Sequence, residues 1–196
     1  MNDSSKLNVG GSQVKSVAVL VGSLRRESIN RKLAEGVVRL GGDRLSFRSI
    51  AIGDLPLYND DLWENTPEAV LRLKREISEA DAVLFVTPEY NRSFSPAIKN
   101  AIDWGTRPWG RNCWAGKPAA ILGTSAGPLG TAAAQISLRS LITVCDMLLM
   151  GQPEVYLSYK AELFNGSGDV VDERTRTLLN NWIDRFAAWI ERIARN

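Results

Sequence analysis

The chain has 196 residues, of which 44% are hydrophobic and 23% charged, the balance of one ordinary soluble domain with a substantial core. Its net charge of +2 and dispersed arginines argue against a nucleic-acid binder. There is no histidine, and the two cysteines, Cys113 and Cys145, lie far apart; this excludes a zinc site and a Cys/His nucleophile, removes the usual general base and fits a reducing cytoplasm.

Residues 1–13 are polar, with Ser4-Ser5 and Gly10-Gly11-Ser12, and read as a mobile N-terminal tail rather than a signal peptide or membrane anchor. A single domain is expected over 14–196, with no apolar run long enough to span a bilayer. The uncharged run Val17-Ala18-Val19-Leu20-Val21 predicts a strand buried on both faces, stopped at Gly22-Ser23. The loop that follows carries hydroxyls at Ser23 and Ser28, an amide at Asn30, guanidinium groups at Arg25 and Arg26, and one acid, Glu27. Donors converging on the first turn of a helix make an anion site, because that turn leaves N–H groups unpaired and carries the positive end of the helix dipole. A phosphate is the natural guest, yet neither G-x-x-x-x-G-K-[ST] nor G-x-G-x-x-G is present. A plain polar turn with Ser28 as N-cap and surface arginines is the bland alternative.

Ile29, Leu33, Val37 and Leu40 recur at helical spacing, and Gly41-Gly42 reads as the C-cap. A second strand is expected over 45–52, then a long loop, 53–61. Thr66-Pro67-Glu68 reads as a helix start with Thr66 as N-cap and Pro67 at the first helical position, followed by Val70, Leu73 and Ile77. Residues 82–86 form a third buried strand, Ser95-Pro96 opens a helix carrying Ile98, Ile102 and Trp104, and residues 117–122 a fourth strand. Helix over 131–147, a short fifth strand at 153–156 and helix over 172–195 complete the chain. Strands alternating with helices specify an α/β doubly wound parallel sheet with helices on both faces. In such sheets ligands bind outside the carboxyl ends of the strands, and the loops after strands one, three and four are the polar ones marked by glycine or proline.

Read together, Gly22-Ser23-Leu24-Arg25 with Ser28 and Asn30, Pro88-Glu89-Tyr90-Asn91, Lys99-Asn100-Ala101-Ile102-Asp103-Trp104, Gly116-Lys117-Pro118, and Ser125 with Gly127 form an ordered set spanning most of the chain. That set resembles the NADPH-dependent FMN reductase family of the flavodoxin-like fold, near its bacterial chromate- and quinone-reducing members. The resemblance implies a five-stranded sheet of order 2-1-3-4-5. It implies that Ser23, Arg25, Ser28 and Asn30 bind the FMN phosphate, that Pro88, Glu89, Tyr90 and Asn91 line the ribityl chain and one ring edge, and that Ser125 and Gly127 offer donors at the pyrimidine end. Arg92 and Lys99 are placed near the substrate or NAD(P)H. The bland readings are a Glu89–arginine pair, a solvated Lys99, and Trp104 and Phe94 in the core. The chain departs from the family pattern at Ser95, where members commonly have proline, and at Thr131, where they commonly have a second glycine.

The reaction so implied is a ping-pong transfer from NADPH or NADH through bound FMN to quinones, chromate or other metal ions, flavin, nitro or azo compounds. No catalytic side chain is needed, in keeping with a chain devoid of histidine. A flavodoxin-like electron carrier and a nucleotide-binding regulatory protein are the rival readings; carriers are typically acidic, and this chain is slightly basic. The segment Leu57 to Trp63, the tryptophans Trp63, Trp109 and Trp114 read as surface residues, and the helix bearing Gln135, Leu138 and Arg139 predict a homodimer or homotetramer.

Overall fold

The computed structural model describes residues 14–195; the expected tail, 1–13, lies outside the described residues. Strand β1 (Lys15–Val21) can sit inside the sheet because its side chains are apolar on both sides: Val17 and Val19 enter one core, Ala18 and Leu20 the other. β3 (Ala82–Val86) is buried at every residue, and β4 (Pro118–Ser125) at all but its last. β2 (Leu45–Ser49), with only Leu45 buried, forms one margin. All pairings are parallel, in the order β2-β1-β3-β4-β5.

Helices cover both faces. α2 (Glu68–Glu79), α3 (Pro96–Thr106) and α4 (Ala132–Val144) bury Val70, Leu73, Ile77, Ile98, Ile102, Leu138 and Ile142 against Leu20, Phe85 and Ile121. α1 (Ile29–Gly41) and α5 (Glu173–Ala194) bury Leu33, Val37, Leu179, Trp182, Ile183 and Phe186 against Val19, Leu84 and Leu122. Each such side chain removed from water contributes about 1.5–3 kcal/mol. Chain order reverses beside β1, with β2 on one flank and β3 on the other, so the β1 and β3 loops open at the sheet's switch point.

Several elements differ from expectation. The fifth position of the sheet is split: β5 (Leu148–Leu149) pairs with Pro118 and Ala119, and β6 (Tyr156–Ser158) pairs with residues 123–125 further along the same strand. The residues between leave the sheet, so the strand expected at 153–156 is displaced to Tyr156–Ser158. β2 ends at Ser49 and β4 runs on to Ser125. Thr66 is not the N-cap of α2: its hydroxyl donates to Trp63 O, and Pro67 occupies the cap position without a side-chain bond. Gly42 follows α1 as expected but keeps right-handed geometry, φ −64°. Trp114 is not a surface residue; it is fully buried and donates to Ile102 O, while Trp63 packs edge-on against buried Trp104 at 5.2 Å. Trp109 alone of the three is open, 85% exposed under the Arg107 guanidinium.

Candidate active site

The loop after β1 starts from a backbone contact of β1 with β3: Gly22 N donates to Val86 O at 2.8 Å. A side chain at Gly22 would lie 2.7 Å from Ser95 Cβ and 2.8 Å from Ile98 Cδ1, so only glycine lets this turn rest against the start of α3. Beyond it, the five backbone N–H groups from Ser23 to Glu27 have no acceptor among the described residues, while a turn at Arg26-Glu27 brings Ser28 N toward Arg25 O. The Ser23 hydroxyl also lacks a protein partner although the residue is only 5% exposed. Ser28 caps α1 by accepting from Arg31 N at 3.1 Å. The first turn of α1 contains no acid and carries Arg31 and Lys32, both exposed, where the helix dipole disfavours positive charge. Free N–H groups, an unpartnered hydroxyl and cations against the dipole describe a cradle suited to an anion. Arg25 reaches the same loop, donating to Glu27 O at 2.8 Å with its remaining N–H groups uncommitted.

Asn30 is also engaged within the protein, a use the sequence did not suggest. Its amide nitrogen donates to Thr124 O and its amide oxygen accepts from Thr124 N, both at 2.9 Å, and the residue is 2% exposed. The last β3 contact is Thr87 N to Leu122 O, so the Asn30 amide takes over the edge of β4 one step beyond it. The side chain thereby locks the start of α1 to β4.

The loop after β3 is a two-residue hairpin. Tyr90 and Ser93 exchange backbone bonds of 2.9 and 3.0 Å, and the tip residues Asn91 and Arg92 both take positive φ, 50° and 66°. Pro88 is buried beneath it; Tyr90, Asn91 and Arg92 are exposed. Glu89 is engaged on both oxygens, by Arg92 Nη1 at 2.9 Å and Ala134 N at 3.2 Å. Ser95 ends the loop: its hydroxyl donates to Gly22 O at 2.6 Å and accepts from Ala97 N, capping α3, while Thr87 Oγ1 accepts from Ser95 N. The serine that departs from the family pattern is thus the bond between the first and third loops.

In the loop after β4, Ser125 O accepts from Tyr159 N, and Gly127 O accepts from the hydroxyls of Ser158 and Ser125 at 2.8 and 3.2 Å. A side chain on Gly127 would face open space. Gly130, φ 53°, has the Tyr156 backbone 2.4 Å from where a Cβ would stand. Thr131 follows at φ 70°, fully buried, its hydroxyl accepting from Gln135 Nε2. The position where relatives commonly have glycine is therefore one of left-handed backbone, held here by a threonine.

The structure gathers Ser23, Arg25, Ser28, Tyr90, Ser125 and Gly127 on loops at one end of the sheet, tied by Ser95, Asn30 and Glu89. Lys99 stands apart: it forms an ion pair with Asp103 at 2.7 Å on the exposed side of α3. Arg25 and Tyr90 share a cleft of about 340 Å³ with Leu57, Pro96 and Asn100. A larger groove of about 810 Å³ runs between α1 and β2 past Val21, Val38 and Phe47, and touches the expected set only at Ser23. Asn100, quoted in the motif set without a role, accepts from Tyr58 N and donates to Pro56 O, holding the loop after β2 against α3. Its signal was a polar residue close to the apolar stripe of that helix. Sequence reasoning missed Ser158, carried by the displaced β6. Elsewhere, burial pushes the Cys113 thiol up to about 11, and burial lowers the pKa of Lys74, whose ammonium binds the carbonyls of Gly105, Arg107 and Arg111.

Comparison with known proteins gives the same picture. A family model described as NADPH-dependent FMN reductase matches residues 16–162. The chain is similar to a 2-hydroxy-1,4-benzoquinone reductase of Burkholderia sp, 46% identical over 174 residues, covering 89% of this chain and 95% of that one. It is similar to a quinone reductase of Pseudomonas putida, 49% identical over 181 residues, covering 92% and 97%. Among solved structures it resembles FerB, a flavoenzyme NAD(P)H:(acceptor) oxidoreductase from Paracoccus denitrificans. That likeness has TM-score 0.90 at 51% identity over 91% of this chain and 98% of that one.

Proposed function

The chain belongs to the NADPH-dependent FMN reductase family, an NAD(P)H-dependent flavoenzyme family, and we propose that it is an NAD(P)H:quinone oxidoreductase that holds FMN by its phosphate in the loop after β1. When bound, FMN supplies the two-electron exchange between NAD(P)H and the acceptor, in ping-pong order. Chromate and other metal ions, free flavin, nitro and azo compounds are further acceptors that this reading includes.

The observation that carries the reading is the set of five unpaired N–H groups from Ser23 to Glu27 beside the unpartnered hydroxyl of Ser23. A phosphate monoester with charge near −1.5 to −2 satisfies such a set, and Arg25 adds a charge-assisted bond about twice as strong as a neutral one. Tyr90, Asn91, Ser125 and Gly127 form the walls proposed for the ribityl chain and ring, and Arg92 stands at the rim toward the nicotinamide donor. Glu89 is bonded on both oxygens, and this reading gives it no proton-donor role. Exposed Leu57, Tyr90, Leu129 and Ile136 support self-association as a dimer or tetramer, which light scattering at micromolar concentration tests.

FMN and riboflavin titrations test the phosphate claim directly. The wild type is expected to bind FMN at least about 100-fold more tightly than riboflavin, and Arg25→Ala to narrow that gap by about tenfold with its unfolding midpoint unchanged. Equal affinity for the two flavins would defeat the reading.

A further inference from the structure

Resting on that placement of FMN between the loops after β3 and β4, we propose that Glu89 is a positioning residue, clamping the two walls of the flavin cleft by capping α4 from the opposite loop. α4 starts without a cap of its own. Thr131 holds the cap position in left-handed geometry, makes no side-chain cap bond, and has its hydroxyl engaged by Gln135. Two of the first-turn N–H groups have backbone acceptors: Ala132 N bonds Leu129 O and Gln135 N bonds Thr131 O. Ala134 N bonds Glu89 Oε2 instead.

This arrangement joins two elements that nothing in the local sequence connects. A carboxylate at a helix N-terminus satisfies an orphan donor and the positive dipole end together. The other oxygen holds Arg92, one of the two left-handed residues at the hairpin tip, so the same carboxylate fixes Tyr90 and Asn91 relative to the loop 125–131. Its side chain is 10% exposed, which limits water's access to the carboxylate, although Arg92 on its other side is 71% exposed. Arg92 neutralises a charge that would otherwise stand free beside the cleft.

The test compares Glu89→Ala and Glu89→Gln, since glutamine keeps an oxygen that can accept from Ala134 N. In FMN-free protein, amide exchange at Ala134 is expected to quicken about tenfold in E89A and to stay within about threefold of wild type in E89Q. In FMN-loaded protein, stopped-flow reduction by saturating NADPH should show a limiting rate lowered about tenfold in E89A and largely rescued in E89Q, while FMN affinity moves by less than about threefold. Unchanged exchange at Ala134 in E89A overturns the clamp. A wild-type limiting rate despite faster exchange overturns the positioning role, and equal loss of rate in both variants overturns it too, assigning the effect to the charge. Failure of wild type to take up FMN would defeat the proposed function, yet the exchange comparison would still decide the clamp.

Discussion

Replacing Asn30 by alanine separates two jobs that the sequence alone could not tell apart. As a direct phosphate ligand, Asn30 would affect FMN affinity and little else. As the brace seen here, its loss strands Thr124 N and Thr124 O on a residue that is 1% exposed. Each buried backbone group left without a partner costs about 1–3 kcal/mol, so N30A should lose about 2–6 kcal/mol, a large share of the roughly 5–15 kcal/mol that holds a domain folded. Urea unfolding of FMN-free protein measures this, with Ser28→Ala as reference, where loss of one cap costs about 1 kcal/mol. A loss in N30A below about 1 kcal/mol, accompanied by a large fall in FMN affinity, would refute the brace and restore the ligand role.

Ser95→Ala removes the bond to Gly22 O and the cap on Ala97 N; it should cost about 1–3 kcal/mol in urea unfolding and weaken FMN retention, since the first and third loops then part. Stability equal to wild type would show that this link is idle. Cys113, with its thiol raised to about 11, is almost wholly protonated at pH 8; in a Cys145→Ser background its alkylation by iodoacetamide should run on the order of 100-fold slower than that of a free cysteine. Modification at the free-cysteine rate would contradict the burial that raises the pKa.

The strand-helix alternation and the three polar loops were legible because strands buried on both faces have no polar residue to disguise them, as 82–86 illustrates. The cluster of polar donors after β1 was legible too, since Ser23 to Ser28 are consecutive. Long-range partnerships were not. Asn30 meets Thr124 across 94 positions, and nothing local distinguishes an amide that binds a ligand from one that completes a sheet edge. Trp114 was misread because burial of an isolated aromatic depends on how the chain folds back over α3. The split last strand escaped because pieces of two and three residues show no period. Thr131 was noted as a departure, but only coordinates reveal the left-handed backbone that makes glycine usual there.

The interrupted margin of the sheet matters for a cell crowded with nascent polypeptides. An edge made of two short pieces, with the chain lifted away between them, presents no long row of free amides onto which a foreign strand could zip. The opposite margin, β2, is only five residues long and carries Arg48. A protein so finished at both borders should resist recruitment into fibrils even when its helices are transiently loosened.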